Sequence, residues 1–310
     1  MSMLEKNVLD FSQKTSQYNI APHSQSSRMY HVELEDSALK SFFEKTRSIE
    51  VQELEYVPYM RYIVSGILQD VFGEEFTNTL QQILQDRSTG GYTLGLDDKQ
   101  LTADEYVIFS TALTHLMGQC NFDAMSGKYY ARFTVKHTDE SDSYLRQAYR
   151  LFTLHTDGTF VDESTDWLLM MKMQEENAVG GESRLLHLDD WEDANHFVNH
   201  PYARKEITYK APSSKNVDQE IKRKTFFYQD GKPCICFIDQ FANPESIDEA
   251  RYLKDLSSSM ENDRNLIELG LPVGHLVMVN NLFWLHGRAA FEPNENLHRE
   301  LLRQRGRFHV

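Results

Sequence analysis

From residue 121 to its end, the chain is a series of short runs rich in aromatic and β-branched residues, and this pattern constrains the fold most. Separated by Gly, Asp, Asn or Pro, the runs are KYYARFTVKH, YRLFTLHTDG, DWLLMMKM, SRLLHL, FFYQDGKPCICFID and GHLVMVNNLFWLHG. Such runs between turn-forming residues are typical of β-strands. The pattern therefore predicts a β core over residues 121–310, a double sheet of the jelly-roll or barrel kind, with helical inserts near residues 189–200 and 245–262.

The part of the chain before this core has a helical pattern. Between Tyr59 and Arg87 apolar residues recur every four positions, which predicts one amphipathic helix. The stretch RSTGGYTLGLDD ends that helix, and Thr102 and Glu105 have the spacing of a capping box that begins another. The predicted organisation is a single domain over residues 1–310, made of a polar N-terminal arm (1–30), a mainly helical flank (31–120) and the β core (121–310).

Charge and cysteine content limit the partners and the compartment. Asp and Glu number 47 against 32 Lys and Arg, a formal net charge of −15. Binding to nucleic acid or to an anionic membrane needs clustered positive charge, so we expect neither. No run approaches the roughly 18 apolar residues of a membrane span, and the N-terminus lacks the apolar centre of a signal peptide. The 3 cysteines form no C-x-x-C motif, and so small a number suits a reducing compartment, so we expect a cytoplasmic protein.

The stretch LFTLHTDGTF, residues 151–160, puts two potential metal ligands on one face of a predicted strand. Side chains at positions i and i+2 of a strand point the same way, so His155 and Asp157 converge. For this pair taken alone, the simpler explanation is a histidine hydrogen-bonded to an aspartate at a strand end.

The C-terminal region supplies a third ligand and a set of arginines. His286 ends a predicted apolar strand, and Arg299, Arg303 and Arg305 follow at one parity, on the same strand face as Leu301. Two histidines and one carboxylate leave open positions on Fe(II), as in non-haem oxygenases. A 2-oxo dicarboxylate chelates such an iron through its keto acid end, and its far carboxylate suits an arginine fork. Singly, the histidine can be structural and the arginines a charged strand edge, but the ordered set favours an Fe(II) site.

Several stretches of the chain are long and unusual in composition. They are NFDAMSGKYYARF, SDSYLRQ, LHTDGT, LLMMK, LLHLDDWE, APSSKNV, FIDQF, NNLFWLHGR and RELLRQRG. Together they resemble the CsiD family of glutarate 2-hydroxylases, which are Fe(II)/2-oxoglutarate dioxygenases, over about residues 20–308. The resemblance implies a mainly β fold with flanking helices, a double-stranded β-helix (jelly roll) of the clavaminate synthase and taurine dioxygenase type. It also implies a homotetramer that converts glutarate, 2-oxoglutarate and O2 into L-2-hydroxyglutarate, succinate and CO2, in lysine degradation.

The resemblance further implies roles for individual residues. Arg299 is the counterpart of the arginine that holds the far carboxylate of 2-oxoglutarate. Arg303 has the spacing of the arginine that holds the anionic group of the substrate in taurine dioxygenase. Arg305 can exchange roles with either. The implied iron ligands are His155, Asp157 and His286.

Other implied contacts rest on position alone. Ser183 follows a glycine pair, where many members of the clan have a threonine near the co-substrate. Tyr130, Arg132, Ser143 and Arg146 precede the iron motif, and we expect them to line the substrate pocket. Ordinary strand and loop positions explain these four residues equally well.

The sequence leaves three functions open. The first is glutarate hydroxylation, and the second is hydroxylation of another small carboxylate by the same chemistry. The third is a metal-binding jelly roll without catalysis. An intact H-x-D motif, distal histidine and arginine disfavour the third, because a protein that only binds a metal needs no co-substrate arginine.

Overall fold

The computed structural model describes residues 9–96, 101–137, 148–211 and 219–309. Its helices are α1 (Asp36–Thr46), α2 (Val51–Tyr56), α3 (Pro58–Phe72), α4 (Glu74–Gln85), α5 (Ala103–Met117), α6 (Ala194–Val198) and α7 (Ile247–Glu261). Its strands are β1 (Gln13–Lys14), β2 (Tyr18–Pro22), β3 (Met29–Leu34), β4 (Gly91–Gly95), β5 (Gly118–Cys120), β6 (Ala131–Lys136), β7 (Phe152–His155), β8 (Trp167–Glu176), β9 (Ser183–His187), β10 (Glu206–Lys210), β11 (Glu220–Lys224), β12 (Phe226–Gln229), β13 (Lys232–Ile235), β14 (Ala242–Asn243), β15 (Ile267–Leu269), β16 (His275–Asn280), β17 (Trp284–Arg288) and β18 (His298–Phe308).

Within the described ranges, nine strands form a major sheet in the order β1-β2-β3-β4-β16-β8-β18-β5, with β6 also paired to β18. Strands β3 and β4 are parallel, and the other neighbours are antiparallel. Alternate residues of its central strands enter different cores. Val277 and Val279 pack in one core and Met278 in the other, as the two-residue period of a strand requires. The centre of the major sheet is therefore buried on both faces.

A minor sheet lies against one face of the major sheet. It is antiparallel, in the order β15-β9-β17-β7. Its Leu154, Leu185 and Leu285 share a core with Leu168 and Val277 of the major sheet, while α1 to α5 cover the opposite face of that sheet. Two sheets around one core are the architecture that the strand pattern predicts.

The helical flank differs from the prediction at two points. The single helix predicted from Tyr59 to Arg87 is two helices, α3 and α4, because the intervening Gly73 has φ of +91°, a conformation that glycine adopts readily. The stretch predicted only to end a helix contains β4, whose residues are all buried between β3 and β16. The predicted cap is present, since the Thr102 hydroxyl accepts from the Glu105 amide at 3.2 Å.

The expected N-terminal arm is part of the sheet over its described residues. Strands β1, β2 and the start of β3 extend the major sheet, and Tyr18 and Ile20 are buried in its core. These two apolar residues lie on the same side of β2, and the polar residues around them hide this alternation in the sequence. Because β1 to β5 all precede residue 121, the boundary expected there does not separate a helical flank from the β core.

The two helical inserts lie where they were predicted, as α6 and α7.

In the described ranges, every helix falls short of the length and apolarity that a membrane span requires.

Candidate active site

His155 and His286 face each other across the β7–β17 pair. They are partners in the antiparallel register, and their ring centroids are 4.1 Å apart. Because β7 ends at His155, the chain then leaves the sheet and brings Asp157 to both rings, with its Oδ1 3.7 Å from each Nε2. Candidate ligand atoms of these three residues all lie within 4.8 Å of one another, a geometry that no other His, Cys, Asp or Glu group has among the described residues.

The donor set of this site fits Fe(II). The three side chains are 3%, 4% and 8% exposed, and two imidazoles with one carboxylate are the facial ligand set of non-haem iron. The Nδ1 of His155 donates to the carbonyl of Thr153 at 2.9 Å. This bond leaves Nε2 free to bind a metal, because a hydrogen bond at one ring nitrogen fixes the tautomer of a ligating histidine.

Arg303 bridges two carboxylates at the site. Its Nη1 lies 3.0 Å from Oδ2 of Asp157 and its Nη2 lies 2.5 Å from Oδ2 of Asp123. Burial opposes the ionisation of Asp157, but Arg303 and the two histidines outweigh it and hold the pKa of that carboxyl well below its usual range. Burial also lowers the pKa of His286 to about 4. Near neutral pH the site therefore presents a carboxylate and a neutral imidazole at these positions, the forms that bind a metal.

A cavity of about 150 Å³ opens onto the three candidate ligands. Leu301, Arg299, Arg303 and Arg305 all line it, as their shared parity on β18 predicts. A fourth arginine, Arg288, comes from β17. The apolar side chains that line the cavity include Phe133, Val135, Phe152, Phe160, Met170 and Ile238.

Two of these arginines lie near the same aromatic ring, and we call Arg288 and Arg299 the Phe291 pair. Their guanidinium carbons lie 5.2 and 5.4 Å from the centre of the Phe291 ring. Arg299 is 2% exposed, donates to the Gly181 carbonyl and lies 3.7 Å from a Glu175 carboxylate oxygen. Burial and the charge of Arg299 lower the pKa of Arg288 to about 10. An anion between these two buried cations would relieve their repulsion.

The other two arginines, Arg303 and Arg305, lie beside Asp157, and we call them the Asp157 pair. Arg305 is 9% exposed, and burial together with the charge of Arg303 lowers its pKa. Among the described residues, no side chain or carbonyl accepts a hydrogen bond from its Nε. A buried donor without an acceptor is costly, so this position also favours an anionic ligand.

Residues 18–308 match the family model CsiD. The chain belongs to the CsiD family. Its fold is similar to that of an asparagine oxygenase in complex with Fe(II), 2S,3S-3-hydroxyasparagine and succinate, with a TM-score of 0.73 and 15% identity over 89% of this chain and 93% of the other. It is also similar to the non-haem iron oxygenase OrfP in complex with Fe and alpha-ketoglutaric acid, with a TM-score of 0.66 and 14% identity over 89% and 93% of the two chains. These likenesses confirm the predicted jelly-roll fold.

In this CsiD family member, two residues expected at the substrate pocket lie outside the cavity. The Tyr130 hydroxyl donates to the Glu55 carboxylate at 2.5 Å. Arg132 pairs with Glu300, and its side chain is 40% exposed. Within β6, Phe133 and Val135 line the cavity, and neighbouring side chains of a strand point to opposite sides, which places Arg132 on the other side of the strand.

The remaining expected residues divide differently. Ser183 lines the cavity at the start of β9, whereas Ser143 and Arg146 lie outside the described residues. Sequence reasoning missed Arg288 and Asp123. A signal for Arg288 was present, because it lies two positions after the distal histidine and so shares its strand face. Asp123 had no comparable signal, since it lies in the loop between β5 and β6.

Proposed function

We propose that this CsiD family member is an Fe(II)/2-oxoglutarate-dependent dioxygenase that hydroxylates glutarate at C2. Glutarate, 2-oxoglutarate and O2 become L-2-hydroxyglutarate, succinate and CO2. The observation that carries the proposal is that one cavity is lined by a His-Asp-His set and by two separate pairs of arginines. Its fold neighbours are non-haem iron oxygenases, crystallised with iron and with succinate or alpha-ketoglutaric acid, which supports the same class of reaction.

His155, Asp157 and His286 would hold the iron. When bound, Fe(II) supplies the activation of O2, one atom of which ends in succinate and the other in the new hydroxyl group. The protein keeps Asp157 ionised through Arg303 and keeps His286 neutral by burial. Both ligands are therefore ready to bind without first losing a proton.

The Phe291 pair is suited to the far carboxylate of 2-oxoglutarate. Arg299 is held by Gly181, Glu175 and Phe291, so its fork is oriented before the ligand arrives. A carboxylate can take two parallel hydrogen bonds from such a fork. Ser183 and Arg288 line the same cavity and supply further donors.

The Asp157 pair is suited to a carboxylate of glutarate. Both terminal nitrogens of Arg303 already contact carboxylates, whereas Nε of Arg305 has no acceptor among the described residues. We therefore assign the substrate carboxylate to the two residues together rather than to Arg303 alone. Two arginine pairs keep two five-carbon diacids apart, because each diacid has its own cationic partner.

The carboxylates of the cavity favour a diacid over an amino acid. Among the described lining residues the acidic side chains are Asp123 and Asp157, and Arg303 contacts both. The ammonium group of an amino acid would have to displace that arginine from one of them. The second carboxylate of a diacid is negatively charged, so it does not compete with Arg303 for Asp123 or Asp157.

A panel of substrates tests the proposal. The purified protein, with Fe(II) and 2-oxoglutarate, is given C4 to C6 mono- and dicarboxylates and L-asparagine, and succinate release and product mass are measured. We expect glutarate to give the highest rate and a product one oxygen heavier, in a one-to-one ratio with succinate. A higher rate with another acid would favour the second function, hydroxylation of that acid. Metal binding without succinate from any substrate would favour the third.

We also propose a homotetramer, as the family resemblance implies. Tyr56, Tyr59, Tyr62 and Ile63, on the adjoining helices α2 and α3, are each about half exposed or more, which supports a subunit contact there. Light scattering during size-exclusion chromatography should give four times the 36.2 kDa of one chain. Tyr59→Glu should lower that mass if this surface is the contact.

A further inference from the structure

The carboxylate ligand of the site lies beyond the end of its strand. β7 ends at His155, and the ladder with β17 holds that histidine opposite His286. Asp157 follows after the ladder has ended, so strand pairing does not set the position of its backbone. Other contacts must hold it, because a shift of the backbone would carry the carboxylate away from both imidazoles.

The side-chain amide of Asn281 makes those contacts. Its Oδ1 accepts from the backbone N–H of Asp157 at 2.8 Å, and its Nδ2 donates to the backbone carbonyl of Asp157 at 2.9 Å. Residues of a hydrogen-bonded antiparallel pair exchange both such bonds, so the carboxamide takes the place of a missing strand neighbour. Asn281 is 3% exposed, and water therefore does not compete for these bonds.

Asn281 also ties the other end of the loop that follows Asp157. Its Nδ2 donates to the carbonyl of Thr165 at 2.8 Å, and its backbone N–H donates to the carbonyl of Asp166 at 2.8 Å. Both ends of the connection between β7 and β8 are thus fixed to one residue. The segment that contains Asn281 continues into β17, which carries His286. The positions of the candidate ligands Asp157 and His286 are therefore coupled through this segment.

We propose that Asn281 is a positioning residue for the metal ligand Asp157. It acts through the backbone of that residue and contacts neither substrate nor metal. The inference rests on the proposed function in requiring a metal at the His-Asp-His site. Partners of metal ligands typically contribute about 10- to 100-fold in metal affinity, and we expect a loss of that size when the amide is removed.

The chain offers a matched control in the adjacent residue. Asn280 is the same residue type and is also 3% exposed. Its Nδ2 donates to the carbonyl of Leu84 at 3.1 Å, and its Oδ1 accepts from the amide of Leu282 at 3.1 Å. Neither bond reaches the metal-binding segment, so Asn280→Ser removes a buried amide of equal size without touching Asp157.

The experiment titrates Co²⁺ alone into the wild type, Asn281→Ser and Asn280→Ser, and follows the visible absorption of the bound ion. We expect both substitutions to lower the melting temperature. Asn281→Ser should in addition raise the Kd for Co²⁺ by about 10- to 100-fold and change the shape of the spectrum, while Asn280→Ser keeps the wild-type Kd. Asn281→Asp, which keeps the side-chain shape and loses the two donated bonds, gives the same comparison if the serine variant does not fold.

Two results would overturn the inference alone. One is an Asn281 variant that binds Co²⁺ within twofold of the wild type, and the other is an equal loss of affinity in Asn280→Ser. Failure of the wild type itself to bind Co²⁺ would overturn the proposed metal site, and the inference with it.

Discussion

Replacing Arg299 by leucine removes the guanidinium that we assign to the far carboxylate of 2-oxoglutarate. This side chain is 2% exposed and is held by Gly181, Glu175 and Phe291. Leucine has no donor for the carboxylate, which would then lie in a buried cavity with one fewer cation. The expected effect is weaker binding of the co-substrate rather than of glutarate.

The size of the effect follows from burial and from the second arginine of the pair. Truncating one partner of a buried, hydrogen-bonded charge pair costs about 2–5 kcal/mol. At about 1.4 kcal/mol per tenfold change, this is a loss of affinity between about 30-fold and several thousand-fold. Arg288 still faces the cavity beside Phe291 and keeps part of the attraction. We therefore expect the lower end of the range, about 30- to 100-fold.

The assay is succinate release at varied 2-oxoglutarate and, separately, at varied glutarate. In Arg299→Leu the KM for 2-oxoglutarate should rise and that for glutarate should stay near its wild-type value. Arg299→Lys keeps the positive charge without the planar guanidinium fork, so its KM for 2-oxoglutarate should lie between those of the wild type and Arg299→Leu. Arg307→Leu is the control, because Arg307 is on the same strand but exposed and away from the cavity.

An Arg299→Leu enzyme with a KM for 2-oxoglutarate within twofold of the wild type would refute the assignment. A rise in the KM for glutarate alone would mean that the two arginine pairs have exchanged roles. An equal rise in Arg307→Leu would point to a general effect of charge on the strand.

Three further predictions concern the ligand set, the pH dependence and a buried ion pair. His155→Ala should abolish both Co²⁺ binding and glutarate-dependent succinate formation while its circular dichroism spectrum stays unchanged. Turnover by this variant at the wild-type rate, with Fe(II) supplied, would contradict the metal site. Burial lowers the pKa of His115 from 6.5 in the unfolded chain to about 4. Between these two pH values the unfolded chain binds a proton that the folded protein does not, so the free energy of unfolding falls as the pH drops from 6.5 to 4. His115→Gln should reduce the loss of unfolding free energy between pH 7 and pH 5, measured with urea, by about 2 kcal/mol, and an undiminished loss would refute this. Glu261 accepts from the amide of Leu154 and pairs with buried Arg184, so Glu261→Ala should cost about 3 kcal/mol of unfolding free energy, and a cost below about 1 kcal/mol would place the pair with exposed ones.

The candidate metal ligands could be predicted because their signal is local. His155 ends β7 and Asp157 follows two positions later, and the parity of Arg299, Arg303 and Arg305 depends only on consecutive residues. The same rule would have found Arg288. By contrast, the expectation that Tyr130 and Arg132 line the pocket rests on their position in the sequence alone, which does not specify that Tyr130 bonds to Glu55 and that Arg132 pairs with Glu300.

The N-terminal strands were missed for a related reason. Polar residues outnumber apolar ones between positions 13 and 34, and a short strand that needs only two buried side chains, such as Tyr18 and Ile20 in β2, leaves a weak pattern. What stabilises these strands is pairing along the edge of a sheet whose other members are distant in the chain. The strand propensity summed over a few residues does not include the stability that comes from such pairing.

The amino-acid sequence thus specifies which side chains share a strand face, since a two-residue period is a property of neighbouring positions. That level of information predicts the strands of the core, the three candidate ligands and the arginine face of β18. Folding adds the contacts between segments distant in the chain: His155 opposite His286, Arg303 between Asp157 and Asp123, and the amide of Asn281 on the backbone of Asp157. These contacts depend on register and on packing of the two sheets, which many residues set together, and so no short stretch of sequence encodes them.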